Sequence, residues 1–247
     1  MKKIKLGWQE CRSKHLGVIA WITSTFIVYA FQPVAAARTF SDDIVDLHKE
    51  HWAYSSTKKL IDNYDVLQGF PDHTFRGENL VNRYEFSVII LNLINYLSDK
   101  KKMNIRASIK PIEKSFSDIP PNYWALKPVL ELKEKYSIIL SPPDEINFSG
   151  NKNINRYELA YGIDLVLNTV LSKNKLNRNP YEQLKEDLNN NNQSWDKKSE
   201  KNITNSKIMV GFGEKNDFSG NTEVNRYQLA VTLIKAIEYI ESHNSGE

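Results

Sequence analysis

Three arginines carry most of the chemistry this sequence offers. Arg83, Arg156 and Arg226 each take the second place of an Asn-Arg-Tyr-Glu or Asn-Arg-Tyr-Gln tetrad that reads as the first turn of a helix. A cation there opposes the helix macrodipole at a cost of roughly 0.3–1 kcal/mol. A cost met three times asks for a reason. Amides left open at a helix start attract an anion, and a guanidinium beside them adds a planar fork matched to carboxylate or phosphate. The pattern predicts three anion pockets. A competing reading pairs each arginine with an Asp or Glu of the neighbouring repeat.

The elements that place these arginines are repeated with them. Phe75–Glu85, FRGENLVNRYE, returns as FSGNKNINRYE at Phe148–Glu158 and FSGNTEVNRYQ at Phe218–Gln228, with the leading phenylalanines 73 and 70 residues apart. A unit of about 70 residues is thus used three times. Asn82 with Glu85, Asn155 with Glu158 and Asn225 with Gln228 have the spacing of a capping box. Val81 and Phe86, Ile154 and Leu159, and Val224 and Leu229 have the spacing of a hydrophobic staple. Beyond each cap an apolar stripe runs in register: Phe86, Ile90, Leu93, Ile94, Leu97; Leu159, Ile163, Val166, Leu167, Val170; Leu229, Leu233, Ala236, Ile237, Ile240. That periodicity puts each set on one helical face, and three such faces are most economically buried against one another in an all-α fold.

Each unit needs a first helix as well. The sequence predicts one from His51 to Tyr64, opened by Phe40-Ser-Asp, and one from Trp124 to Tyr136, opened in the same way by Phe116-Ser-Asp. In the third unit Trp195 is followed by Asp196 rather than alanine and little apolar pattern remains, so that helix is expected to be short or irregular. The units divide as 38–98, 115–171 and 195–241. A basic linker lies at 99–114, an Asn-rich insertion with a short helix near Tyr181–Leu188 lies at 172–194, and 242–247 forms a loose tail.

Residues 1–37 read as a secretory signal peptide: a basic start, an apolar core from Leu16 to Phe31, and small residues that predict cleavage after Ala36 or Ala37. An uncleaved anchor is the alternative, although a 16-residue core with three hydroxyl side chains (Thr23, Ser24, Thr25) is short for a span. The chain carries 33 basic and 30 acidic residues; the leader takes five of the first and one of the second, so a net +3 becomes −1. The mature chain has no cationic field that would favour nucleic acid or an anionic membrane. Cys11, the one cysteine, leaves with the leader, so disulfides are not expected to hold the fold.

Phe-Ser-Asp, His/Tyr-Trp-Ala, Gly69-Phe-Pro-Asp72-His-Thr-Phe and Asn-Arg-Tyr-Glu-Phe, in that order, resemble the S-layer homology (SLH) repeat, in a variant similar to that of cyanobacterial envelope proteins. The resemblance covers nearly the whole mature chain and is weakest in the first half of the third unit. It implies three SLH repeats in a pseudo-threefold arrangement around a central helix bundle. It further implies an exported, non-catalytic module without cofactor, sited in the periplasm or on the cell surface, that binds peptidoglycan-linked anionic cell-wall polysaccharide of pyruvylated type through grooves between repeats. On this resemblance Arg83, Arg156 and Arg226 hold the anion, Trp52 and Trp124 line grooves, and Gly69 and Asp72 of the turn complete the ligand-binding set. A core role for the two tryptophans is the alternative. Ser141 in place of the turn glycine, Gln228 in place of Glu, and Trp195 without its alanine imply one or two working grooves. An envelope protein–protein interaction scaffold with vestigial grooves is the second functional reading.

Other chemistry finds little support. His48, His51 and His73 could be read as metal ligands, yet no metalloprotease pattern accompanies them. Asp72 and Asp144 lack EF-hand spacing, and no nucleophile motif or Gly-rich phosphate loop is present, so neither an enzyme nor a metal site is expected.

Overall fold

A computed structural model describes residues 41–105, 116–142, 145–171 and 194–244. The predicted signal peptide, most of the basic linker, Asp144 and the Asn-rich insertion lie outside the described residues, apart from Ser194. Among the described residues the regular structure is helical: α1 Tyr54–Asp62, α2 Arg83–Asn95, α3 Leu126–Tyr136, α4 Arg156–Leu171, α5 Trp195–Asn205 and α6 Arg226–Asn244. A π-helical turn, Tyr96–Lys100, prolongs α2. Residues 37–247 form one compact unit. No helix among the described residues is long and apolar enough to cross a membrane.

The even-numbered helices begin where the tetrads place them. Asn82 accepts from the Glu85 amide at 2.9 Å while the Glu85 carboxylate accepts from the Asn82 amide at 3.3 Å, closing the box. Asn225 and Gln228 do the same at 2.9 and 3.1 Å. Asn155 keeps its half, accepting from the Glu158 amide at 2.9 Å. The other half expected of Glu158 is replaced, because its carboxylate turns to Arg83 of the preceding repeat. Replacing any one of these asparagines by alanine is expected to cost about 1 kcal/mol, read as a lowered urea midpoint with an unchanged m-value.

The apolar stripes become the core. Phe86, Ile90, Leu93, Ile94 and Leu97 are buried, as are Leu229, Leu233, Ala236, Ile237 and Ile240, and they join Leu159, Ile163 and Val166 in one cluster; Val170 packs at its edge. Immediately before these helices the chain closes a ring. The Val81 amide donates to the Val224 carbonyl (3.0 Å), the Val224 amide to Ile154 (3.0 Å), and the Ile154 amide to Val81 (2.8 Å). Each repeat thus hydrogen-bonds to both others through extended segments too short to be strands, and the three residues are themselves fully buried.

Three local expectations differ from what is found. The third repeat's first helix is neither short nor irregular: α5 has 11 residues, as many as α3, anchored by buried Ser199 and Ile203. Phe40-Ser-Asp42 is not the counterpart of Phe116-Ser-Asp118. Asp118 accepts from the Phe148 and Ser149 amides (3.0 and 2.7 Å), and in the first repeat Asp46 performs this task for Phe75 and Arg76 (2.6 and 2.8 Å). Asp42 instead faces Lys58, whose Nζ also donates to Ser41 and Asp62. The C-terminal tail is helical as far as Asn244, and the linker begins docked, with Lys101 paired to Glu241 at 2.8 Å.

Candidate functional site

Each arginine reaches into the next repeat in cyclic order. The Arg83, Arg156 and Arg226 amides donate to the carbonyls of Lys152, Thr222 and Asn79, and the following tyrosine amides donate to Gly150, Gly220 and Gly77. With the third amide of each helix taken by the capping asparagine, the open N–H groups expected to attract an anion are already satisfied. Any anion site here rests on the guanidinium groups.

Their surroundings differ. Arg83 is fully buried and paired twice over with acids. Nε and Nη2 donate to Glu158 (3.2 and 2.8 Å), Nη2 and Nη1 to Glu145, and Nη1 to the Phe148 carbonyl at 2.9 Å. All five N–H donors are used. This is the inter-repeat salt bridge that was the competing reading. Burial alone would lower the Arg83 pKa, but its hydrogen bonds to Glu145 and Glu158 raise it. The Arg83 hydrogen bond holds Glu145 below the usual carboxylate range.

Arg156 and Arg226 are also buried, each about 7% exposed, but among the described residues neither has a carboxylate within ion-pair distance. Arg156 donates to the Phe218 and Val210 carbonyls (2.9 and 2.7 Å), and its guanidinium lies 4.2 Å from the Phe212 ring and 4.8 Å from Phe218. Arg226 donates to Phe75 and Gln68 (both 2.9 Å) and lies over Phe75 and Phe70 at 4.6 and 4.9 Å. Carbonyl dipoles and ring faces thus stand in for a counter-ion. Burial pushes both guanidinium pKa values down; at Arg226 the nearby Glu85 and Asp46 partly oppose it.

The turn residues explain part of this difference. Gln68 and Val210, whose carbonyls receive the second guanidinium arm, precede Gly69 and Gly211. In the second repeat Ser141 takes the glycine's place, and Glu145, three residues before Phe148 as Asp72 is before Phe75, reaches Arg83. Asp72 itself binds within its turn: it accepts from Thr74 Oγ1 and Arg76 Nη2, both at 2.6 Å. These contacts, Thr74 first, hold its carboxyl down at about 2. Gly69 adopts no left-handed backbone, and a Cβ there would meet Ile44 Cδ1 at 3.1 Å.

Trp52 and Trp124 are 60% and 56% exposed, which overturns a core role for them. Each stands beside the tyrosine of the repeat that reaches in: Trp52 with Tyr227 (6.2 Å) and Trp124 with Tyr84 (6.3 Å). His51, set aside as a metal ligand, stacks on Tyr227 at 4.1 Å, and Tyr123 packs likewise on Tyr84 at 4.5 Å. Because Tyr227 also packs on Phe75 (5.5 Å), a continuous aromatic run leads from exposed Trp52 to buried Arg226. In the remaining junction Trp195 turns to Tyr161 (5.5 Å), and Lys197 Nζ meets the Tyr157 hydroxyl at 2.9 Å. Lys197 went unnoticed in the sequence, although it stands two residues beyond Trp195 where the first repeat has Tyr54.

No family model matches the chain. The chain is 30% identical over 81 residues, 33% of its length, to an uncharacterized protein of Nostoc sp.. It is 28% identical over 82 residues, again 33% of its length, to outer membrane protein alpha of Thermotoga maritima, and 36% identical over 56 residues, 23% of its length, to outer membrane protein SlpA of Deinococcus radiodurans. The matched segments span 14%, 20% and 5% of those relatives.

Proposed function

We propose that the chain is a non-catalytic cell-envelope module of the SLH type. It holds an anionic, peptidoglycan-linked wall polysaccharide in two grooves, one built on Arg226 with Trp52 and Tyr227, the other on Arg156 with Lys197 and Tyr157. The observation that carries this reading is a pair of buried guanidinium groups facing carbonyls and aromatic rings with no described carboxylate as counter-ion. A buried cation without one is costly, and a carboxylate-bearing sugar substituent would supply the missing charge with fork geometry. Exposed aromatics beside each arginine offer flat apolar faces to a pyranose ring. The Arg83 junction is excluded from this role because Glu145 and Glu158 already fill its guanidinium. Similarity to segments of outer membrane proteins supports the envelope setting, and the predicted leader supports export.

Co-sedimentation with purified cell-wall sacculi tests the proposal. The protein is expected to pellet with the walls, and Arg156→Gln with Arg226→Gln to weaken this at least about thirtyfold, the lower end for truncating one member of a buried charge pair. The same double variant must keep its helical circular dichroism. Failure of the parent protein to pellet would favour an envelope protein scaffold, and turnover of wall material would mark an enzyme.

A further inference from the structure

The second repeat breaks the triplicate pattern at a place far along its long helix. Counting from the arginine, Leu91 and Ile234 occupy the ninth position of α2 and α6, and both are buried; the same position of α4 is Asp164, equally buried at 7% exposure. A carboxylate has thus replaced an aliphatic side chain at an unchanged depth, a substitution that costs stability. It also has prepared partners. Ser199 Oγ donates to Oδ2 (3.3 Å), Asn202 Nδ2 reaches both oxygens (3.2 and 3.0 Å), and Asn168 Nδ2 reaches Oδ1 at 3.3 Å. All four contacts come from neutral groups, and burial pushes the Asp164 carboxyl upward.

Asp164 opens onto a cleft of about 660 Å³ between α4, α5 and α6, within the size range of ligand pockets. Asn168, Asn202, Asn205 and Ser206 line it together with Tyr239, whose ring stacks on His243 at 4.0 Å. Carboxamides, which both donate and accept, outnumber charges on this wall, where Lys207 stands besides Asp164. A ligand rich in hydroxyl groups would find acceptors or donors along the carboxamides, whereas a simple cation or anion would leave most of them unused. We propose that this cleft is a second binding site that takes the uncharged, hydroxyl-rich end of a saccharide, with the Asn168, Asn202 and Asn205 carboxamides meeting its hydroxyls and Asp164, bonded to Asn168 and Asn202, positioning them. The site stands apart from the arginine junctions and does not rest on the wall-anchor reading.

The test is saturation-transfer NMR of the whole chain with an uncharged panel of maltotriose, cellotriose and chitobiose at millimolar concentration. At least one is expected to bind. Asp164→Leu, which restores the residue type of the sister repeats, is expected to weaken it about tenfold or more while leaving the thermal midpoint unchanged or raised. Asn202→Ala, a change on the exposed side of α5, is a second variant expected to weaken it. Arg156→Gln and Arg226→Gln should leave it untouched. Absence of transfer from all three sugars, binding indifferent to both cleft variants, or binding lost in the arginine variants would each overturn the proposal.

Discussion

Arg83→Met is expected to destabilise the protein by about 3–5 kcal/mol, because removing one member of a buried ion pair strands the other. The group left behind is Glu158, whose side chain is 2% exposed, with Glu145 at 30% beside it and, among the described residues, only the half-exposed Lys152, 3.5 Å from Glu158, as a remaining cation. For a chain of this size the loss corresponds to about 6–20 °C in melting temperature. Adding Glu145→Gln and Glu158→Gln to Arg83→Met should return most of it, since no buried charge then remains and the half-exposed Lys152 that loses its partners can turn to water. The penalty should also depend on pH with a definite sign. Arg83 depresses the folded-state pKa of Glu145, so this contribution is complete above the unfolded value of about 4.3 and fades as pH falls through the lower folded one. The gap in urea midpoint between parent and Arg83→Met should therefore be widest near neutrality and narrow in acid. Arg156→Met and Arg226→Met remove bonds to carbonyls and contacts with ring faces but strand no described carboxylate, and are expected to cost less, about 1–3 kcal/mol. Equal losses at all three positions would contradict the division of roles among the junctions.

That division was only partly legible in the sequence. The capping asparagines and the stripes are local features with short periods and recur in the folded chain, and the residues at the staple positions are all buried. The arginines' positions could be read for the same reason. Their partners could not, because Glu145 and Glu158 lie 62 and 75 residues from Arg83, and nothing in a tetrad says which junction contains an acid. One signal was present, since Glu145 in the second repeat stands where the first has Asp72 and the third Lys215. Asp46 was missed for a different reason. Phe40-Ser-Asp42 and Phe116-Ser-Asp118 agree by identity, whereas Asp46 and Asp118 both stand six residues before their tryptophan, and that distance is what lets each carboxylate reach two turn amides. The irregular helix expected at Trp195 is not found because a first-turn aspartate and sparse apolar pattern say little when Ile203, with Ser199 one turn before it, supplies a fully buried anchor.

The glycines of the Phe-x-Gly turns were legible as part of the repeat, but their reason emerges only in the packing. A Cβ on Gly150 would sit 2.1 Å from the Tyr84 ring, one on Gly77 2.0 Å from Tyr227, and one on Gly220 2.1 Å from Tyr157. Tyr84 has no room to retreat, held between Tyr123 at 4.5 Å and Phe148 at 5.6 Å, while its own amide is bonded to the Gly150 carbonyl. Gly150→Ala is therefore expected to cost about 1–3 kcal/mol by overpacking. The loss should be much smaller when made in a Tyr84→Ala background, which a double-mutant cycle would report as strong coupling. Gly69→Ala is the control, because its new methyl meets only the movable end of Ile44 and a carbonyl at 3.2 Å. Gly77→Ala should match Gly150→Ala in stability and differ in function. The ring it displaces, Tyr227, connects Trp52 to Arg226, so wall co-sedimentation should fall with it, whereas displacing Tyr84 beside the acid-filled Arg83 should leave binding intact once stability is matched. A loss of wall binding in Gly150→Ala equal to that in Gly77→Ala would place a working groove at the Arg83 junction and remove the basis for assigning the anion to Arg156 and Arg226.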